Sequence, residues 1–168
     1  MRVVPRLRAF LDERHVPYEV LAHSRDYTAQ ETAAHTHTPG REFAKAVIVR
    51  AGDGYLMTVL PAHHEVDLER LSAALGHRVV DLASEEEIAR LCPDCEPGAI
   101  PPFGNLWELS VVASSALTED EHITCNAGSH REALRLTWND YRRVVEPRLL
   151  DFSRSAQTAA TQGAPARG

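Results

Sequence analysis

The chain has 168 residues, and its proportions of hydrophobic (43%) and charged (25%) residues are those of an ordinary globular domain. Its 18 basic residues against 24 acidic ones give a net charge of −6 with no basic run, which argues against binding along a DNA or RNA duplex. No apolar run approaches the ~18 residues of a membrane span, and we expect neither a secretory leader nor a membrane partner. The three cysteines indicate no disulfide framework, so we expect a cytoplasmic protein.

The first half of the chain alternates helical and strand patterns. Apolar residues at helical spacing predict an amphipathic helix over 3–14, and residues 16–23 have the pattern of a strand. Thr28, followed three residues later by Glu31, is a capping-box pattern and predicts a short helix. Two β-rich runs within 43–62 flank an Asp-Gly pair and predict a β-hairpin.

The second half begins with two capped helices. Asp67 and Gly76 bound the first, and Ser84, with Glu87 three residues later, begins the second after a short strand over 77–82. Three further strand patterns and a closing helix follow, at 106–113, 121–127, 133–138 and 139–147. This mixture predicts an α+β fold, with a mixed, largely antiparallel sheet and helices packed around it.

The end of the chain differs from the rest. From residue 153 the sequence SRSAQTAATQGAPARG has no large apolar side chain and cannot contribute to a core. We therefore expect one domain over 1–152 and a disordered tail over 153–168.

Lys45 lies within FAKAVIVR, a strand pattern that is otherwise largely apolar. Alternation puts Lys45 on the same face as Val47 and Val49, and a charged side chain on an apolar face requires an explanation. One interpretation is a strand-end side chain that reaches back to water. The other is a cation that holds an anion such as phosphate in a pocket. The strand pattern leaves both open.

Four histidines come in two close pairs, at 35–37 and at His63–His64. Neither pair has the spacing of a helical zinc pair, and surface histidines are the expected interpretation of both. His23 and His130 differ, because each lies at the end of a predicted element, where pocket residues gather.

Cys92 and Cys95 form a Cys-x-x-Cys motif, which invites a metal or redox interpretation. A structural zinc site takes four ligands, and the remaining cysteine, Cys125, falls in a strand pattern. A thioredoxin-like pair opens a helix, whereas these cysteines close one and enter a proline loop. We therefore expect no metal and no cofactor, and keep a zinc protein as the least favoured alternative.

The loop that follows, EPGAIPPFG, has the composition of a rigid pocket wall. Gly98 permits a close backbone approach, and Pro101 and Pro102 fix φ and lack N–H donors. The few remaining amides suit a carbonyl oxygen or an oxyanion. A second glycine-containing turn, NAGSH at 126–130, is either part of the same pocket or a simple hairpin turn, and spacing does not decide between the two.

In this order the segments resemble the YbaK/EbsC family, which includes editing domains found in or beside prolyl-tRNA synthetases. The resemblance extends over about residues 15–145. Its carriers are His23, TAQETA (28–33), AKAVIV (44–49), MTVLPAHHEVDLERL (57–71), CEPGAIPPFG (95–104) and NAGSH (126–130). The family implies a YbaK-like α/β fold with a mixed, barrel-like sheet flanked by helices.

Many members of this family are aminoacyl-tRNA deacylases, and the resemblance implies specific site residues. It makes Lys45 the essential lysine that engages the substrate near the terminal phosphate and adenosine, and Gly98 the glycine whose loop positions the reacting carbonyl and water. His130 is a third candidate for catalysis, as a water-orienting or amine-contacting group. Further substrate contacts are expected at His23, Thr28, Ile100, Pro101, Pro102, Phe103, Gly104, Asn126 and Gly128. Relatives commonly have a serine where this chain has Pro101.

The expected function is a trans-acting deacylase that hydrolyses the ester of a small mischarged amino acid on the 3′-terminal adenosine of tRNA. The tRNA acceptor end is then the substrate, and an aminoacyl-tRNA synthetase is a candidate partner that holds the tRNA body. The alternative is a module without catalysis that binds a nucleotide or a tRNA end.

Overall fold

Capping residues and strand alternation set the element boundaries in the computed structural model, which describes residues 3–22 and 42–156. The α-helices of these residues are α1 (Pro5–Glu13), α2 (Leu68–Ala74), α3 (Glu85–Leu91) and α4 (Trp138–Val145). The strands are β1 (Glu19–Ala22), β2 (Phe43–Ala51), β3 (Gly54–Pro61), β4 (His64–Val66), β5 (Val80–Leu82), β6 (Ser110–Ser114), β7 (His122–Asn126), β8 (Glu132–Thr137), β9 (Arg148–Leu150) and β10 (Ser153–Ser155). Two 3₁₀ helices lie at Gly104–Trp107 and Ser115–Glu119.

The strands form a mixed sheet in the order β1-β8-β7-β2-β3-β6-β9, with β5 paired to β2 and a separate β10-β4 ribbon. The pairs β1–β8, β7–β8, β2–β3 and β2–β5 are antiparallel, whereas β2–β7, β3–β6 and β6–β9 are parallel. The predicted α+β fold with a mixed, largely antiparallel sheet is therefore confirmed. None of the described helices has the length and apolarity needed to cross a bilayer.

The two predicted helix caps form as the sequence indicates. Asp67 accepts a hydrogen bond from the Arg70 backbone N–H at the start of α2. Ser84 and Glu87 form a reciprocal capping box at the start of α3. Each cap satisfies backbone N–H groups that have no partner within their own helix, which is worth about 1 kcal/mol per capping side chain.

The predicted hairpin consists of β2 and β3. Its register runs from Ala44 opposite Pro61 to Ala51 opposite Gly54, and it places Lys45 opposite Leu60. Because side chains alternate between the two faces of a sheet, Lys45 shares its face with Leu60 and with further apolar residues of both strands. The prediction that Lys45 points to the same face as Val47 and Val49 is confirmed.

The opposite face of this hairpin carries the main hydrophobic core, and α1 packs there through Leu7, Phe10 and Leu11. Leu7 and Leu11 are fully buried, and burial of such side chains stabilises a fold by about 1.5–3 kcal/mol each. Phe103 also joins this core, where its ring packs against Phe10. The core thus fixes the proline loop to the same sheet that carries Lys45.

Two expectations about local structure need correction. The strand pattern over 106–113 begins too early, because Gly104–Trp107 is a 3₁₀ helix and the strand starts only at Ser110. A Cβ at Gly104 would lie 2.8 Å from the Val111 Cγ2 atom, so only glycine permits this close return of the chain.

The expected boundary of the tail is also too early. Ser153–Ser155 form β10 and pair with His64–Val66, and Ser153 is buried. Residues 157–168 lie outside the described residues, so a disordered tail beyond this strand stays a prediction. The helix predicted from Thr28 likewise lies outside the described residues.

Candidate active site

The residues Glu96, Pro97, Gly98 and Ala99 form a tight turn. The Ala99 N–H donates to the Glu96 carbonyl at 3.0 Å, and Gly98 has a φ of +80°. Proline at the second position and a positive φ at the third are typical of a type II β-turn, whose third position favours glycine. The Pro-Gly dipeptide therefore sets the turn directly.

The segment NAGSH holds this turn from one side. The Glu96 N–H donates to the Gly128 carbonyl at 2.9 Å, and the Gly128 N–H donates to the Ala99 carbonyl at 2.9 Å. Gly128 has a φ of +101°, and a Cβ there would lie 2.9 Å from the Val4 Cβ atom. The two glycine turns, whose convergence the sequence left open, thus form one unit.

His130 fixes the central peptide of the turn. Its ring is 3% exposed, and its Nε2 atom hydrogen-bonds the Pro97 carbonyl oxygen. Since a carbonyl can only accept, Nε2 carries the proton. A trans peptide points its N–H opposite to its C=O, so this bond directs the Gly98 N–H away from His130. The His130 backbone N–H donates to a Glu96 carboxylate oxygen at 2.8 Å and closes the unit.

Two backbone amides near the turn are available as donors. Among the described residues, the N–H groups of Gly98 and Ile100 have no hydrogen-bond acceptor. Asn126 braces the turn from the end of β7, where its Nδ2 donates to the Gly98 carbonyl at 3.4 Å. The Asn126 Oδ1 atom is buried and has no partner within 3–22 and 42–156.

Lys45 lies next to this unit. In the parallel β2–β7 register Ala44 lies opposite Cys125, so Lys45 and Asn126 are the next residues of two neighbouring strands, on the same face. The half-buried Lys45 donates from Nζ to the Ala62 carbonyl at 3.3 Å. Burial lowers the pKa of Lys45, and the nearby Glu65 carboxylate opposes this shift.

A cavity of about 280 Å³ lies between β2 and the turn. Its lining includes Ala46, Val47, Ile48, Gly98 and Ile100, so the glycine of the turn and the residues that follow Lys45 border one space. A cation and a carboxamide on neighbouring strands, with two backbone amides in the adjacent turn, are suited to hold an anion and to stabilise an oxyanion.

The pair His63–His64 is not on the surface, contrary to the expectation from spacing. Both side chains are half-buried, and their rings meet edge to face at 4.5 Å. His64 Nδ1 lies 2.8 Å from the Ser153 Oγ atom. Burial, followed by the charges of His63 and Lys45, lowers the pKa of His64. No local pattern predicts this position, because the partner residue Ser153 is distant in the chain and was assigned to the tail.

Burial raises the pKa of both thiols of the Cys-x-x-Cys motif. Cys92 is buried at the end of α3, and burial and the charge of Asp94 raise its pKa to about 11. Burial and the same carboxylate raise the pKa of Cys95 to about 12. Within the part of the chain that the structure describes, no three His, Cys, Asp or Glu side chains are grouped to hold a metal ion.

The remaining predicted contacts divide into three groups. Ile100 borders the cavity, as described above. The adjoining residues, from Pro101 to Gly104, are buried, and the Tyr141 hydroxyl donates to the Pro102 carbonyl at 2.6 Å. These four residues anchor the loop to the core, and a direct contact with substrate stays a prediction for them. His23 and Thr28 lie outside the described residues.

Sequence reasoning missed two features of this site. Glu96 was not singled out, although it accepts the His130 N–H and donates its own N–H to Gly128. Lys45 was singled out, but a simpler signal was overlooked, since it is the only lysine of a chain with 18 basic residues.

Comparison with known proteins identifies the family and agrees with the fold. Residues 23–144 match the family model described as the aminoacyl-tRNA editing domain. The chain is 31% identical over 156 residues to the multifunctional Ser/Thr-tRNA deacylase ProXp-y of Escherichia coli K12, covering 90% of this chain and 93% of that protein. The chain belongs to the aminoacyl-tRNA editing domain family.

More distant relatives include a larger enzyme. The chain is 28% identical over 130 residues to the proline–tRNA ligase of Staphylococcus saprophyticus, covering 71% of this chain and 23% of the ligase. A solved structure of a candidate trans-editing enzyme for prolyl-tRNA synthetase superposes with a TM-score of 0.79 at 19% identity, covering 92% of this chain and 99% of that one. The crystal structure of a hypothetical protein superposes with a TM-score of 0.81 at 18% identity, covering 89% of this chain and 99% of that one. At this identity the two structures establish the shared fold.

Proposed function

We propose that this chain is a trans-acting aminoacyl-tRNA deacylase, which hydrolyses the ester between a small mischarged amino acid and the 3′-terminal adenosine of tRNA. The observation that carries the proposal is the braced Gly98 turn beside Lys45. Family membership and the likeness to a Ser/Thr-tRNA deacylase along nearly its whole length support it. A synthetase that holds the tRNA body is the expected partner.

The chemistry requires little from side chains, because an aminoacyl ester is already activated. Water adds to the carbonyl carbon, the bond to the ribose oxygen breaks, and that oxygen takes up the proton which the water loses. What the protein must supply is position and charge. The N–H groups of Gly98 and Ile100 donate to the developing oxyanion, and the Lys45 ammonium binds the terminal phosphate.

His130 acts as a positioning residue in this scheme. Its Nε2–H is committed to the Pro97 carbonyl, so the nitrogen that faces the turn is a donor and not a base. Its contribution is to keep the Gly98 N–H directed away from the imidazole.

The size of the cavity limits the amino acid. At about 280 Å³ it lies below the ~300–1,000 Å³ of sites that take drug-sized ligands. We therefore propose alanine, serine and threonine esters as the first substrates to compare, the latter two because the E. coli relative is a Ser/Thr-tRNA deacylase.

The proposal is tested by a deacylation panel. Alanyl-, seryl-, threonyl-, cysteinyl- and prolyl-tRNA are incubated with wild type, with Lys45→Ala, and with Arg50→Ala as a control that removes an exposed cation from the same strand. A hydrogen bond to a charged group is worth about 1.5–3 kcal/mol, so Lys45→Ala should lower kcat/KM about 10- to 150-fold.

Arg50→Ala should remain near wild type. The thermal unfolding of Lys45→Ala should be almost unchanged, because within the described residues the Lys45 side chain makes one long hydrogen bond, to the Ala62 carbonyl. A wild-type protein that leaves every charged tRNA intact would contradict the proposal. Binding of a tRNA end that depends on Lys45, without ester turnover, would favour a binding module instead.

A further inference from the structure

A groove of about 510 Å³ shares no lining residue with the cavity at the Gly98 turn. It is bordered by Leu56 on β3, by Leu75 and Arg78 after α2, by Ser110 on β6 and by Arg148 on β9. A second hollow, which contains Arg142 and Arg143, adjoins it and shares Glu146 with it.

This region concentrates exposed arginines in a chain whose net charge is −6. Among the described residues, Arg78, Arg142 and Arg148 form no ion pair, whereas Arg143 pairs with Asp140 at 3.1 Å. Glu146 is the carboxylate that lines both hollows, and no ion pair to it is formed within the described ranges. Three guanidinium groups therefore face solvent with their donors uncommitted.

Part of the lining of the groove lies on the same face of the sheet as Lys45, whereas Leu109 and Val111 belong to the main core on the other face. Leu56 and Leu60 point to one face of β3, and Leu60 is the cross-strand partner of Lys45. Leu56 and Leu60 are four positions apart along β3, which corresponds to about 13 Å. The part of the groove at Leu56 is thus displaced from the lysine along β3.

We propose that this groove binds the sugar–phosphate backbone of the tRNA acceptor end, and the inference rests on the proposed function. About four unpaired nucleotides at the 3′ end of tRNA, at the ~3.4 Å per nucleotide of a stacked strand, span about 14 Å, which is comparable with the ~13 Å along β3 from Leu60 to Leu56. The guanidinium fork donates to phosphate through two N–H groups at once. The local arginine cluster explains how an acidic chain without a basic run holds a nucleic-acid end.

The test compares two substrates on one set of variants. The substrates are full-length seryl-tRNA and seryl-adenosine, the 3′-ester that lacks every upstream phosphate. The variants are wild type, the double variant Arg78→Ala/Arg148→Ala, and a control, Arg8→Ala/Arg14→Ala, that removes one arginine from α1 and one from its C-cap, on the opposite face of the sheet. Thermal unfolding of each variant reports on folding.

The groove variant should lose about tenfold or more in kcat/KM on the tRNA and nothing on seryl-adenosine. Its log–log salt dependence on the tRNA should be shallower by about 1 for each arginine removed, while the control keeps the wild-type slope.

Equal tRNA activity and equal salt slopes in wild type and the groove variant would overturn the inference, and so would an equal loss on both substrates. Full tRNA activity with weakened binding to a synthetase would reassign the groove to an acidic protein surface. A wild type inactive on both substrates would overturn the proposed function and this inference with it.

Discussion

Replacement of His130 by leucine tests whether the orientation of one peptide bond controls activity. The side chain makes a hydrogen bond from Nε2 to the Pro97 carbonyl, while the backbone bond from the His130 N–H to Glu96 does not depend on the side chain. Leucine fills the buried space without a donor. A neutral hydrogen bond contributes about 0.5–1.5 kcal/mol, and the exposed Pro97 can regain water, so the loss from this bond should fall in this range.

The expected fall in Tm is therefore small. For a chain of this size each kcal/mol corresponds to about 2–4 °C, so the variant should melt about 1–6 °C below wild type. The effect on activity should be much larger. Without the His130 bond the Pro97–Gly98 peptide can turn over and withdraw the Gly98 N–H, and loss of one oxyanion donor lowers kcat about 10²–10³-fold.

The assay is single-turnover deacylation, paired with thermal unfolding. His130→Gln is the matched variant, because its amide can donate to the same carbonyl, and it should recover most of kcat. Both variants should change KM little, since the peptide acts on the transition state. A leucine variant with kcat within twofold of wild type, or a glutamine variant as impaired as leucine with an altered pH profile, would refute the positioning role.

Two further predictions concern the fold. Gly128→Ala should lower the free energy of unfolding by more than about 1 kcal/mol in urea titrations, because φ is +101° and the added Cβ meets a neighbouring side chain, whereas Gly54→Ala has no atom within 4 Å and should be nearly neutral. The hydrogen bond from Tyr55 lowers the pKa of Glu87 from 4.5 to about 2, so its stabilisation is complete above pH 4.5 and is lost as the pH falls through 2. Tyr55→Phe should flatten this part of the stability–pH curve, and an unchanged curve would contradict the assignment.

Local signals explain why much of the fold could be predicted from the sequence. The caps at Asp67 and Ser84 and the Asp-Gly turn of the hairpin each depend on residues a few positions apart. The β4–β10 ribbon could not be predicted, because His64–Val66 and Ser153–Ser155 are short, largely polar and far apart in the chain. The 3₁₀ helix at Gly104–Trp107 depends on a tertiary contact of Gly104, which no local pattern reports.

The candidate site also contains features that could be predicted from local sequence and features that could not. Lys45 could be found because a period of two makes a lone cation on an apolar face conspicuous. The contact between the two glycine turns could not be predicted, because its hydrogen bonds join Glu96 and Ala99 to Gly128, about thirty positions away in the chain. The half-buried position of His63 and His64 was misjudged for a related reason, because spacing along the chain says nothing about what a strand is buried against.

The position of Pro101 bears on selectivity. Relatives that resemble this chain commonly have a serine there, whose hydroxyl and N–H could both bond a substrate. In this chain the Pro101 carbonyl accepts the Phe103 N–H at 2.8 Å, and the buried Phe103 ring is held by Phe10 and Tyr141. The loop is therefore rigid but contributes few polar groups to the cavity beyond the Gly98 and Ile100 amides.

In such a loop, the groups that stabilise the oxyanion are not the groups that discriminate between amino acids. Amides that are already fixed by the core need no reorganisation as the oxyanion develops, which favours the reaction for any ester that fits. An apolar cavity discriminates weakly between amino acids, by about 1–3 kcal/mol for one methylene group. A site that hydrogen-bonds the correct side chain discriminates far more strongly, because a wrong side chain leaves a buried polar group of the protein unpaired. With proline at position 101, discrimination at this wall depends on the volume of the side chain, so the protein is expected to act on a group of small amino acids rather than on a single one.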